Sequence, residues 1–111
     1  MLESMPCWKL VRDRIGEELE EEKGDNLIVY RAGDRSVLEQ FLRAKVVEEA
    51  VEFAASGTVE EAVDVLEALY EWFRVKGVSL EELERVRREK RREKGGFEKG
   101  YIVVWLDRET C

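Results

Sequence analysis

Eight carboxylates and no basic residue lie between Lys45 and Arg74. A solvated helical face normally mixes signs, because opposite charges four residues apart stabilise a helix by roughly 0.2–0.5 kcal/mol and like charges cost as much. At about 100° per residue, Glu48, Glu49 and Glu52 share one narrow seam with Lys45, and Glu60, Glu61, Asp64, Glu67 and Glu71 form a second. Leu42, Val46, Val47, Ala50, Val51, Phe53 and Ala54 fill the other directions of the first helix. The second is filled out by Ala62, Val63, Val65, Leu66, Leu69, Tyr70, Trp72 and Phe73. Helices apolar around most of their circumference are buried, so the seams face something other than bulk water.

Two carboxylates about 5 Å apart repel by roughly 3 kcal/mol at an effective dielectric of 20. Several of them on facing helices take up protons, open the pair, or hold a cation. The chain has no histidine, so a metal here is held by oxygen, which favours Mg²⁺, with Mn²⁺ as a substitute, over zinc. Mg²⁺ in such a cage keeps waters and takes further ligands from substrate phosphates. That is a centre for phosphoanhydride hydrolysis, in which a carboxylate or the metal orders the attacking water. The plain alternative is an acidic face in contact with solvent.

A polyphosphate also needs cations. Lys45 lies one turn before Glu48 and Glu49, placed either to touch a phosphate or to pair with those carboxylates. Lys9, Arg12 and Arg14 are further candidates, with surface charge as the alternative. Lys94 with Gly95 and Gly96 offers a cation beside bare backbone amides, a combination that suits phosphate. The basic run from Arg85 to Lys94 carries interleaved glutamates and reads as a solvated mixed-sign face.

The elements that position these groups follow from repeated punctuation. Ser36 with Glu39, Thr58 with Glu61, and Ser79 with Glu82 each have the hydroxyl-to-glutamate spacing of a capping box. Gly57, Gly77 and Gly95-Gly96 supply the matching stops. Helices are predicted over 36–56, 58–76 and 79–94, with an earlier one from about Leu10 to Lys23. A loop of about two residues, Ser56-Gly57, makes the first pair an antiparallel hairpin, so the two seams lie side by side. Leu27–Tyr30 and Tyr101–Trp105 have strand character and predict a small two-stranded β ribbon. The fold class is therefore all-α, an antiparallel helical bundle with that ribbon as an addition. A chain of 111 residues suits a single domain, and helical chains this small gain stability by pairing with a second copy.

Glu48-Glu49-Ala50-Val51-Glu52 followed by Glu61-Ala62-Val63-Asp64 resembles the EExxE…ExxD signature of the all-alpha NTP pyrophosphatases. That superfamily includes MazG, the dimeric dUTPases and phosphoribosyl-ATP pyrophosphohydrolase. Lys9-Leu10-Val11-Arg12-Asp13-Arg14-Ile15 and Lys94-Gly95-Gly96-Phe97 are similar to the KLVRDKI opening and RGGF closing of a MazG-like branch of short house-cleaning proteins. The resemblance covers residues 9–105. It implies a MazG-like bundle and metal ligation by Glu49, Glu52, Glu61 and Asp64. Glu48 is implied as a further ligand or the water-orienting base, which makes Glu48 and Glu49 the catalytic candidates. It also implies hydrolysis of a nucleoside triphosphate between its α and β phosphates, and assembly as a homodimer or larger homo-oligomer. One departure affects Glu61. Only eight residues separate it from Glu52, about one helical turn fewer than the family pattern. The seams keep their phase, but Glu61 falls in the first turn of its helix, where the Thr58 capping box competes for it.

The formal net charge of −7 argues against a general nucleic-acid binder, which works by neutralising phosphates. No long apolar run marks a membrane span. Two cysteines, Cys7 and Cys111, and no signal peptide favour a reduced, cytoplasmic protein. A non-catalytic helical oligomer binding a regulatory cation or a basic partner is the rival reading, and phosphoribosyl-ATP the rival substrate.

Overall fold

A computed structural model of the chain describes residues 7–106. Four helices occupy them: α1 (Asp13–Glu22), α2 (Arg35–Ser56), α3 (Val59–Val75) and α4 (Leu80–Lys94). The chain divides after Val78 into two compact units. The first holds α1, α2 and α3, and the second holds α4 and the segment after it. None of the helices is long and apolar enough to cross a membrane. Cys7 is exposed, and Cys111 lies outside the described residues.

The caps form largely as the spacing predicts. Thr58 accepts from the Glu61 amide at 3.2 Å and Ser79 from the Glu82 amide at 3.1 Å. Gly57 closes α2 in the left-handed region, φ 64°, where a side chain would be strained. At the end of α3 the Val78 and Gly77 amides return to the carbonyls of Phe73 and Arg74, the paired bonds of a Schellman motif.

Two boundaries differ from expectation. The cap of α2 is Asp34, not Ser36. Its carboxylate accepts from both the amide and the hydroxyl of Ser36, at 2.8 and 2.9 Å, and a charged acceptor outcompetes the hydroxyl for the first-turn amides. Helix α1 begins at Asp13 instead of Leu10, because Arg12 is extended at φ −62° and ψ 151° and its side chain reaches across to α3. The predicted β ribbon does not form among the described residues. Both segments are irregular, and they belong to different units. A lone apolar run cannot satisfy its ladder without a neighbouring strand.

The extensive helix packing of the first unit is α2 against α3. Its buried residues are spaced by sevens, so each set lies along one side of its helix. On α2 they are Leu42 and Glu49; on α3, Ala68 and Val75. Extending the α3 line back by seven reaches Glu61. Toward the Gly57 loop the facing surfaces are therefore carboxylate, and toward the far end they are apolar.

The far end carries a polar clasp as well. Trp72 Nε1 donates to Glu39 Oε2 at 2.7 Å, and the same carboxylate meets Arg43 Nε at 2.9 Å. The Trp72 bond, with help from Arg43, outweighs desolvation and holds the Glu39 carboxyl below the usual glutamate range. A depressed carboxyl stabilises the folded state above the unfolded pKa and loses that effect as pH falls through the folded one. Glu39→Ala should therefore lower the thermal midpoint at pH 7, with the gap to the wild type narrowing below pH about 4. Melting curves across that range check it, and a gap independent of pH would refute the clasp.

Candidate metal centre

Carboxylates of α2 and α3 converge at the loop end of the hairpin. Glu48, Glu49 and Glu52 form one triplet and Glu49, Glu61 and Asp64 a second, each with an oxygen from every member within 4.8 Å of the others. Glu49 belongs to both and is 7% exposed. Glu49 Oε2 and Glu61 Oε2 are buried and have no hydrogen-bond partner. Buried oxygens left this way cost free energy unless a donor or an ion meets them. Burial pushes the Glu61 carboxyl up, reinforced by the neighbouring charges of Glu52, Asp64 and Glu49. An oxygen-rich group of five carboxylates with two orphaned oxygens inside fits a hard divalent cation.

Three protein cations sit on this cluster. Lys45 Nζ lies 3.0 Å from Glu48 and 3.1 Å from Glu49. Burial works against its charge, but the hydrogen bonds to Glu48 and Glu49 prevail and raise its pKa. Lys9 Nζ meets Glu48 Oε2 at 3.2 Å, and Arg12 Nη2 meets Asp64 Oδ1 at 2.7 Å. Glu48 is partly desolvated, yet Lys45 and Lys9 together hold its carboxyl below the ordinary range, so it is ionised at neutral pH. Five carboxylates against three cations leave a formal charge of −2.

The expected site residues thus separate into groups. Glu48, Glu49, Glu52, Glu61, Asp64, Lys45, Lys9 and Arg12 meet at one place in the first unit. Arg14 lies exposed on α1 and forms no ion pair among the described residues. Lys94, Gly95 and Gly96 belong to the second unit. There the Gly95 amide is already used, donating to the Arg91 carbonyl at 2.7 Å, and a side chain at Gly96 would collide with the Arg91 guanidinium. On α4, Arg85 pairs with Glu82 and Glu89 and Arg87 with Glu84, as the solvated-face reading expects, while Arg91 reaches Glu98 beyond the helix.

The longer acidic seam is narrower in space than in sequence. Glu60 and Glu67 are exposed, and Glu71 pairs with Arg74. Two shallow depressions elsewhere, one along α4 and one beside Asp34 and Lys76, hold no such cluster. Comparison with protein-family models, with curated proteins and with solved structures finds no match to this chain.

Proposed function

We propose that the chain is a divalent-metal-dependent nucleoside triphosphate pyrophosphohydrolase of the MazG-like kind, acting on modified or misplaced nucleotides. The observation that carries this reading is the pair of buried, unpartnered oxygens of Glu49 and Glu61 inside a cluster drawn from two facing helices. Glu49, Glu52, Glu61 and Asp64 would hold Mg²⁺ or Mn²⁺. The bound ion neutralises phosphate charge and favours attack on phosphorus. Glu48, ionised and at the rim, accepts a hydrogen bond from the attacking water and orients it toward the α phosphorus. A bond from the water oxygen to that phosphorus forms as its bond to the bridging oxygen breaks, releasing pyrophosphate and a nucleoside monophosphate. The water's protons pass to Glu48 or to solvent. Lys45 balances Glu48 and Glu49 within the cluster and lies within reach of a phosphate.

The apolar residues on the outer sides of α2 and α3 support a homodimer or larger homo-oligomer as the working form. A cytoplasmic location fits the reduced cysteines that this reading assumes. The second reading is a helical oligomer that binds a regulatory cation without turnover, and it rests on the same carboxylates and the same apolar surfaces. Phosphoribosyl-ATP remains the alternative substrate.

Pyrophosphate release should be measured on a panel of ordinary and modified NTPs and dNTPs, and on phosphoribosyl-ATP, with Mg²⁺ or Mn²⁺ and with EDTA. Release of pyrophosphate plus monophosphate is expected to need the metal and to fall at least about a hundredfold in Asp64→Asn. Stabilisation by the ion with no turnover on any substrate would favour the regulatory oligomer.

A further inference from the structure

We propose that residues 9–12 form a cationic strap over the carboxylate cluster. Its two charges leave Glu48 and Asp64 for an incoming polyphosphate as the carboxylates take up the metal. The proposal rests on the metal-site reading above and adds to it an order and a coupling between the two ligands.

The strap touches both helices. Lys9 is seated on Glu48 of α2 and Arg12 on Asp64 of α3, so three residues of chain, about 10 Å when extended, bridge the mouth of the cluster. Each end of this segment has an anchor that is not ionic. Trp8 packs edge-on against Tyr30, with ring centroids 6.2 Å apart. The Arg12 carbonyl accepts the Gly16 amide at 2.9 Å and so joins the segment to α1. Val11 Cγ2 lies 3.6 Å from where a side chain at Gly16 would begin, so the strap runs close to that helix. The backbone is held while the cationic ends remain half exposed, at 49% for Lys9 and 53% for Arg12. Long side chains of this kind reorient without moving their backbone.

Charge decides which ligands they prefer. The strap cations hold the rim carboxylates, whereas the orphaned oxygens of Glu49 and Glu61 lie deeper. A divalent ion in the cluster would sit within about 5 Å of each strap cation. At that distance the repulsion in a water-like dielectric amounts to about tenfold in affinity per cation. The ion alone is therefore opposed by Lys9 and Arg12. A polyphosphate removes the opposition, since its oxygens offer the guanidinium a planar two-point partner and the ammonium a stronger anion than a shared carboxylate. The same two residues thus weaken metal binding alone and strengthen it with polyphosphate, a positive coupling that must act in both directions.

The test compares the wild-type chain with Lys9→Gln/Arg12→Gln in two titrations. Mn²⁺ alone is followed by the loss of its free-ion electron paramagnetic resonance signal. Inorganic pyrophosphate is titrated calorimetrically at saturating Mg²⁺. The double variant, lacking both cations, is expected to bind Mn²⁺ alone about a hundredfold more tightly and pyrophosphate at least about tenfold more weakly. Opposite signs cannot come from a folding defect, which would weaken both. Mn²⁺ affinity unchanged or reduced in the variant, with the wild type binding normally, would overturn the strap and leave the metal site standing. If neither chain binds Mn²⁺, the metal site itself is wrong and the strap falls with it.

Discussion

Glu49→Gln is expected to remove divalent-cation binding and to lower pyrophosphate release by about a thousandfold or more. Glu49 is the one carboxylate common to both triplets, and it is the most buried of the five. Glutamine keeps the shape but replaces one anionic oxygen with an amide nitrogen that repels a cation. No neighbour can substitute for it, because each of the other four carboxylates reaches only one of the two triplets. The same change relieves repulsion toward Glu61, and the glutamine amide oxygen can still accept from Lys45, so without a divalent ion the variant should melt at or above the wild-type temperature. A catalytic group that opposes folding is the expected signature of a functional cluster. Calorimetric titration with Mn²⁺, the pyrophosphate assay and a melting curve in EDTA check the three parts. Retained turnover would remove Glu49 from the centre, and a large fall in melting temperature in EDTA would recast it as a structural residue.

Much of this arrangement can be read in the chain because it depends on local rules. The hairpin follows from two hydroxyl caps, a glycine stop and a short loop, and helical phase alone turns Glu49 and Glu61 toward each other. The failures occur where a long-range partner or a stronger local one decides. Asp34 displaced Ser36 as the cap because it accepts from two groups of Ser36 at once. Glu71 leaves the seam because Arg74, three residues on, offers it a helical ion pair, a signal present in the spacing. The strand-like runs at Leu27 and Tyr101 have the composition of strands, but composition does not create a pairing partner. No spacing rule indicates that Arg12 meets Asp64, 52 residues away. Only the extended entry into α1 brings the basic segment over the acidic one.

Val63→Glu is expected to dissociate the proposed homo-oligomer into single chains. Val59, Val63, Leu66 and Tyr70 follow one another at intervals of four, three and four, which places them on one stripe of α3. On α2, Val47 and Val51 form a similar stripe. By helical phase both stripes lie away from the facing line through Leu42, Glu49, Ala68 and Val75. All six side chains are exposed, Val59 at 80% and Val63 at 52%. Burying each would contribute on the order of 1 kcal/mol, and two such hairpins pressed together would complete the bundle that a single chain leaves open. A glutamate within that contact is a desolvated charge with no partner on the stripe, whereas on the exposed surface of a lone chain it costs little. Wild-type protein should therefore sediment as a dimer or larger species, with a melting temperature that rises with concentration. Val63→Glu should sediment as a monomer whose melting temperature is lower and independent of concentration. Because the carboxylates lie on the opposite, facing side, Mn²⁺ binding should survive wherever the separated hairpin stays folded. A wild-type chain that sediments as a monomer at tens of micromolar would show that the stripes are covered in some other way.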